Sequence, residues 1–158
     1  MERYDWRRLN HLQIGRYAEY LVKMEFTLYG FDVYTSEVDD KGIDFVVRRD
    51  CNRYLDVQVK SVRGRNYVFL PKDKFDCSQP NLLLALAVLD QSESAKLLLI
   101  PACEWTTAQV GDSPLAGILV GRDYPGLKSK PEWGINLSQM SLPVLQERFR
   151  FDLQISRL

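Results

Sequence analysis

Residues 42–61 read GIDFVVRRDCNRYLDVQVKS, and their pattern predicts a β-hairpin. Apolar and polar side chains alternate through residues 43–49 and again through residues 54–61, as in strands whose two faces meet different surroundings. The polar segment 50–52 between them is typical of a tight turn. If the hairpin is centred on Cys51, Asp44 lies directly opposite Gln58, with Lys60 diagonal to Asp44. A slip of one residue would turn these side chains to the other face of the sheet.

The segment before the hairpin predicts a helix followed by a strand. In residues 12–29 the apolar side chains recur at helical spacing, and Gly30 stands where a C-terminal cap belongs. Glu19 lies at the edge of the apolar arc of this helix, where a carboxylate is more costly than on the outer face. Residues 31–38 are predicted to form a strand, which ends at turn residues that include Asp39 and Asp40.

The segment after the hairpin predicts further strands and helices. Strands are expected at residues 66–70, 82–89 and 95–100, and helices at residues 104–110 and 141–149. Tyr67 and Phe69 are expected to pack within the sheet rather than to stack on bases. The proline- and glycine-rich segment 111–134 is interpreted as a long surface excursion. The predicted fold class is therefore α/β: one domain over residues 1–158, with a central mixed sheet flanked by helices.

Composition excludes several classes of protein. The 158 residues contain 21 lysines and arginines and 21 aspartates and glutamates, which excludes a histone-like protein that binds nucleic acid through bulk charge. The sequence contains no P-loop and no GxGxxG motif, so no nucleotide cofactor is expected. The longest apolar run, residues 82–89, is far too short to span a bilayer, and the first ten residues do not resemble a signal peptide. No membrane partner is expected.

Cysteine usage indicates the compartment. Cys51, Cys77 and Cys103 form no CxxC pair, and an odd number of cysteines is a poor disulfide framework. A reducing, cytoplasmic location is therefore expected. His11 is the only histidine, which excludes zinc sites and catalytic triads that need more than this one imidazole.

Four polar residues suit a magnesium site that acts on phosphate. Asp44 and the Gln58 amide would supply two hard oxygen ligands from neighbouring strands, and Mg²⁺ usually retains several waters beside such ligands. Glu19 would reach the same ion from the helix, directly or through water. The Lys60 ammonium would orient a water and stabilise the charge that develops on a phosphate.

The same residues carry a resemblance to a known family. The order GRYAEYL (15–21), GIDFVV (42–47) and LDVQVKS (55–61) resembles the PD-(D/E)xK nuclease superfamily. It is most similar to the branch that contains archaeal Holliday-junction resolvases, Mrr-like restriction enzymes and a group I intron homing endonuclease. The resemblance covers residues 12–61, about a third of the chain, and implies a restriction-endonuclease-like core.

The resemblance also implies a function. The helix glutamate, the strand aspartate and the E/Q-x-K pair form the magnesium site of that family, and they correspond to Glu19, Asp44, Gln58 and Lys60. Mn²⁺ is expected to substitute for Mg²⁺, and hydrolysis is expected to leave a 3′-hydroxyl and a 5′-phosphate. Gln58 replaces the usual Glu or Asp, and a neutral amide contributes no charge, so metal affinity is expected to be lower.

The uneven distribution of charge indicates DNA as the partner. Residues 60–74 carry five basic residues and one acidic residue, whereas residues 31–47 carry five acidic residues and one basic residue. A basic rim beside an acidic pocket would hold phosphates next to the ion. The candidate phosphate contacts are Arg63, Arg65, Lys72 and Lys74. One site cuts one strand, so cleavage of both strands implies a homodimer or a homotetramer.

Two other classes of function remain open. Gln58 also favours a non-catalytic DNA-binding module that retains the nuclease-like fold. A third alternative is a subunit whose partner supplies target recognition, because 158 residues leave little beyond the core for reading DNA sequence. Convergence of Asp44, Gln58 and Lys60 on one point, with Glu19 reaching it, would favour the enzyme.

Overall fold

The first helix and its caps follow the sequence closely in the computed structural model, which describes residues 3–35, 37 and 41–158. Helix α1 spans His11–Leu28 and begins with a capping box between Asn10 and Gln13. Its buried stripe recurs every four residues: Ile14, Ala18, Val22 and Phe26. Gly30 ends the helix as predicted, with φ of +83° and its N–H donating to Thr27.

A five-stranded mixed sheet forms the centre of the fold. Its strands, in spatial order, are β1 (Asp32–Tyr34), β2 (Phe45–Arg48), β3 (Tyr54–Arg63), β5 (Leu82–Leu89) and β6 (Lys96–Pro101). The β3–β5 pair is parallel and the other pairs are antiparallel. Every residue of β5 is buried, so this strand is the middle of the core.

A smaller antiparallel sheet covers one face of the central sheet. It contains β4 (Val68–Pro71), β8 (Glu132–Ile135) and β7 (Leu119–Arg122), in that order. With helices α2 (Glu104–Ala108) and α3 (Ser141–Phe149), it packs on the even-numbered side chains of β5. Helices α1 and α4 (Phe151–Ile155) pack on the opposite face. No helix among the residues described is long and apolar enough to cross a membrane.

The structure corrects three predictions. Segment 111–134 is not only a surface excursion, because it contains β7 and the start of β8 and buries Leu115 and Leu119. The predicted strand at 31–38 is shorter, Asp32–Tyr34, while Asp39 and Asp40 lie outside the described residues. Phe69 does not pack within the sheet: it points outward and is 54% exposed. The short helix α4 was not predicted.

Candidate metal and nucleic-acid site

Asp44 stands where β2 begins and is bound to β3 through both its backbone and its side chain. Its N–H donates to the Val57 carbonyl over 2.9 Å, and its Oδ2 accepts the Val59 N–H over 2.6 Å. The carboxylate therefore accepts the Val59 N–H of β3, which a backbone carbonyl of β2 would otherwise accept. For this reason β2 begins at Phe45 rather than at Ile43. The pairing of Phe45 with Val57, extended by one residue, sets Asp44 level with Gln58 and confirms the predicted hairpin register.

Gln58 is a buried polar residue in the middle of β3. It is 6% exposed, and its Oε1 has no hydrogen-bond partner among the residues that the structure describes. An unsatisfied buried acceptor costs about 1–3 kcal/mol, so such an atom calls for an explanation. A cation that accepts the amide oxygen as a ligand would provide one.

Gly42 allows the chain before Asp44 to approach Gln58. It has φ of +77°, and a Cβ at this position would lie 3.0 Å from the Lys74 carbonyl oxygen and 3.5 Å from Nε2 of Gln58. A side chain here would therefore be strained and would displace the backbone of its neighbour. This close approach brings residues 41–43 and 74 to the same place as Gln58.

Lys60 lies two residues beyond Gln58 on the same face of β3. The unbroken parallel pairing with β5, Gln58 with Leu84 and Lys60 with Leu86, keeps the alternation regular between the two. The Lys60 side chain is half-buried and makes no hydrogen bond or ion pair with another described residue. An ammonium group in this position is available to a phosphate or a water.

Glu19 approaches from the other side of the central sheet. Helix α1 packs on the face that carries Val57, opposite to the face of Gln58 and Lys60. The Glu19 carboxylate, 17% exposed, accepts from Lys23 Nζ over 2.6 Å and from Arg16 Nη1 over 3.1 Å. The Lys23 ammonium lies 5.4 Å from the centre of the Phe45 ring, next to Asp44 in the chain. The Glu19 carboxylate is thus bound by two cations on the α1 face of the sheet, and it is the Lys23 side chain that meets the start of β2.

A basic cleft of about 450 Å³ adjoins Asp44 and Gln58. Its walls contain Ile43, which precedes Asp44, and the lysines Lys41, Lys72 and Lys74. Lys72 and Lys74 were predicted phosphate contacts, whereas Lys41 was missed, although it stands three residues before Asp44 in the quoted region. Lys72 also pairs with Asp123 over 2.9 Å. Three lysines against two aspartates, Asp73 and Asp76, leave the cleft with a small excess of positive charge, which favours a phosphate over a cation.

Arg63 is the last residue of β3, and Arg65 follows it by two residues. Along a strand, Arg63 is about 16 Å from Gln58, at roughly 3.3 Å per residue. Its guanidinium donates to the carbonyls of Trp6 and Leu9. Arg65 forms a two-pronged ion pair with Asp90, whose carboxylate also binds Lys96 over 2.6 Å. The structure thus brings Lys72 and Lys74 to the cleft and gives both arginines intramolecular partners.

Asp56 is a further carboxylate on the face of Gln58. Burial raises the pKa of Asp56, and a hydrogen bond from Asn81 over 3.3 Å opposes that rise. Among the described residues, no group of three or more histidine, cysteine, aspartate or glutamate side chains is placed to hold a metal ion. An ion here would therefore depend on the Asp44 carboxylate together with the Gln58 amide.

Comparison with known proteins adds one finding. No family model matches the sequence, and no curated protein matches it. Among solved structures, the chain is similar to Hjc, a Holliday junction resolvase from the archaeal hyperthermophile Archaeoglobus fulgidus. The TM-score is 0.53 at 13% identity, and the match covers 90% of this chain and 95% of that chain. The two chains share a fold, which confirms the predicted α/β architecture.

Proposed function

We propose that this protein is a metal-dependent endodeoxyribonuclease that hydrolyses phosphodiester bonds of double-stranded or branched DNA. The observation that carries the proposal is the buried Gln58 amide oxygen without a hydrogen-bond partner among the described residues, level with the Asp44 carboxylate. The fold shared with a Holliday junction resolvase supports the same class of activity. Gln58 in place of an acid does not exclude activity, because an amide oxygen is also a magnesium ligand.

Asp44 and Gln58 would hold the ion, with Glu19 joining them once its carboxylate leaves Lys23. Mg²⁺, or Mn²⁺ in its place, would supply a coordinated water of lowered pKa and would neutralise charge on the phosphate. The Lys60 ammonium orients the attacking water and stabilises the negative charge that develops on the phosphate oxygens. The water oxygen would bond to phosphorus as the bond to O3′ breaks. The water would give a proton to solvent and O3′ would take one from solvent, which leaves a 3′-hydroxyl and a 5′-phosphate.

The DNA would lie along the basic cleft. Lys72 and Lys74, with Lys41, would hold the phosphates next to the one that is cut. Arg63 and Arg65 would contact phosphates further along the duplex only after exchanging their present partners. Cleavage of both strands would need two sites, so the working form would be a homodimer or a homotetramer. The three free thiols are consistent with work in a reducing compartment such as the cytoplasm.

A second candidate function is a DNA-binding module without catalysis. The ion pairs of Glu19 with Lys23 and Arg16 favour it, because they occupy the carboxylate that an enzyme would use. The two candidates differ in one measurement, the cleavage of DNA in the presence of metal.

The test is nicking of supercoiled plasmid and of a four-way junction with Mg²⁺, with Mn²⁺ and with EDTA. Asp44→Asn removes the charged metal ligand, and Lys60→Met removes the ammonium that would orient the water. Glu25→Gln is the control, because Glu25 lies on the same helix as Glu19 but has no proposed role. Cutting that needs metal, persists in Glu25→Gln and disappears in the other two would support the enzyme. Salt-sensitive DNA binding without cutting would favour the module, and cutting by Asp44→Asn would contradict the proposed site.

A further inference from the structure

The outer face of the small sheet carries aromatic rings. Strand pairing sets Phe69 of β4 beside Gly134 of β8, and Gly134 beside Val120 of β7, all on the side away from the core. Phe69 is 54% exposed. We call Tyr67, Phe69, Arg122 and Tyr124 the aromatic face. Phe69 lies on the edge strand β4, and its exposed ring lines the same cleft as Tyr124, so ring surface is grouped here rather than scattered.

Two rings of the aromatic face, those of Tyr67 and Tyr124, are held by contacts with β7 and β8. The Tyr67 ring lies directly against Gly134, where a Cβ would come within 2.0 Å of its hydroxyl oxygen and 2.4 Å of its ring. The Arg122 guanidinium lies 4.2 Å from the centre of that ring. The hydroxyls of Tyr67 and Tyr124 donate to Oε1 of Glu132 over 2.8 and 3.0 Å. This part of the aromatic face is therefore ordered in the absence of a ligand.

The aromatic face adjoins the basic cleft. A second cleft of about 390 Å³ beside the face is lined by Phe69, Tyr124 and Lys130 among others. Lys130 pairs over 3.0 Å with Asp73, which lines the basic cleft. A chain leaving the basic cleft would therefore cross this ion pair and arrive at Phe69.

Rings combined with planar cations suit unpaired nucleobases. A base stacks on an aromatic ring or on a guanidinium through its π face, whereas the bases of a duplex are already stacked on each other. A purely apolar protein partner would instead bury the Arg122 guanidinium away from water, which is costly. The aromatic face and the basic cleft thus suit the bases and the phosphates of one DNA strand.

We propose that the aromatic face binds unpaired nucleotides of a DNA strand whose phosphates occupy the basic cleft. This rests on the proposed function in taking DNA as the partner, and it narrows the substrate to DNA with a single-stranded segment. Phe69 supplies the open stacking surface, and Arg122 on Tyr67 supplies a second. The claim concerns binding and needs no metal.

The test measures the binding of a fluorescein-labelled oligothymidylate and of a blunt duplex of equal length, by anisotropy in EDTA. Phe69→Ala is expected to weaken binding of the single strand by about tenfold, because it removes the ring on which a base would stack. Binding of the blunt duplex is expected to change little. Phe69→Trp is expected to retain single-strand binding, because it preserves a ring.

Tyr20→Ala is the matched control. Tyr20 is 57% exposed, and the Arg16 guanidinium lies 5.9 Å from its ring centre, but it stands on α1 across the central sheet. This variant should bind the single strand as the wild type does. An equal loss in both alanine variants, or no loss in Phe69→Ala, would overturn the proposal.

Two further readouts separate the possible failures. If Phe69→Ala leaves single-strand binding intact but changes the oligomeric state in light scattering, the face joins copies of this chain and the proposal fails. Plasmid cutting is scored on the same proteins. Selective loss of single-strand binding without any cutting would support the aromatic face while the nuclease proposal fails. If Phe69→Ala cuts plasmid normally and binds the single strand as the wild type does, the nuclease proposal stands and the proposal for the aromatic face fails.

Discussion

The Val59 N–H donates to Oδ2 of Asp44 over 2.6 Å, so one carboxylate both completes the edge of β3 and faces the proposed metal site. These two roles make different demands on the side chain. The hydrogen bond needs only an acceptor oxygen, whereas a metal ligand at this position needs the negative charge.

Substitutions of Asp44 are expected to separate the two roles. Asp44→Asn retains an acceptor oxygen and should unfold within about 1 kcal/mol of the wild type, while metal-dependent cutting is lost. Asp44→Ala leaves the Val59 N–H without this acceptor and should lower the free energy of unfolding by about 1–3 kcal/mol. Urea denaturation followed by circular dichroism measures both. Equal stability of the two variants would show that the hydrogen bond contributes nothing.

The unpartnered Gln58 oxygen is expected to lower the free energy of unfolding while serving as a metal ligand. Gln58→Met preserves the shape of the side chain but removes the buried, unpartnered oxygen, so the free energy of unfolding should be unchanged or rise by up to about 1–3 kcal/mol. Metal-dependent cutting should be lost, because a thioether is a poor magnesium ligand.

Gln154 provides the control for this prediction. It is 7% exposed, and its Nε2 donates to the Arg148 carbonyl over 2.7 Å. Gln154→Met should therefore destabilise the protein, since it leaves that carbonyl without its donor. Destabilisation of equal size in Gln58→Met would mean that the Gln58 amide serves the fold.

Asp90 is expected to control stability in acid. The fork of hydrogen bonds from Arg65, followed by the bond from Lys96, holds the pKa of Asp90 at about 2, against an ordinary value of 3.8. A lowered folded-state pKa contributes stability that is complete above the ordinary value and is lost as the pH falls toward 2. The free energy of unfolding should therefore decline across this interval.

Asp90→Asn should lose that part of the pH dependence and, at neutral pH, on the order of 1 kcal/mol of stability. Asp73→Asn is the comparison, because the bond from Lys130 also lowers the pKa of Asp73, but the Asp73 side chain is 52% exposed. Its effect should be smaller. Acid titration of unfolding by tryptophan fluorescence measures both, and identical curves for wild type and Asp90→Asn would contradict the assignment.

The hairpin could be predicted because its signals are local. The two-residue alternation of β2 and β3 and the short turn between them fix the register, which the pairing of Phe45 with Val57 confirms. The wholly apolar β5 was predicted at its observed bounds, Leu82–Leu89. In each case one short segment carried the information.

Features that depend on distant partners could not be predicted. Val68 and Leu70 alternate with Tyr67 and Phe69, and since both sets are apolar, alternation alone cannot tell which set faces the core. Arg65 pairs with Asp90, which lies 25 residues later in the chain. The sequence indicated only that Arg65 belongs to a basic segment, not which residue it pairs with. Strand β7 has four residues and pairs with a strand ten residues later, too short for a visible period. Its Gly121 lies under the Trp133 ring, which only the folded chain reveals.

Lys23 is expected to weaken metal binding by competing for Glu19. Lys23 and Glu19 are both 17% exposed and 2.6 Å apart, so their attraction is less screened than that of Arg16, which is 63% exposed. Lys23→Met should release the Glu19 carboxylate and raise the affinity of the DNA-free protein for Mn²⁺ by about tenfold, which corresponds to about 1.4 kcal/mol. Isothermal titration calorimetry measures this affinity without DNA cleavage.

Arg16→Met is the control, because it removes a cation from the same carboxylate at its exposed side and should change the affinity for Mn²⁺ much less. Glu19→Gln should lower the affinity in the wild-type background and cancel the gain in Lys23→Met. If Lys23→Met raises the affinity equally with and without the Glu19 carboxylate, the effect is one of general charge and Glu19 is not a ligand. If neither Lys23→Met nor Glu19→Gln changes the affinity, Glu19 is not a ligand, and the proposed ion would depend on Asp44 and Gln58 alone.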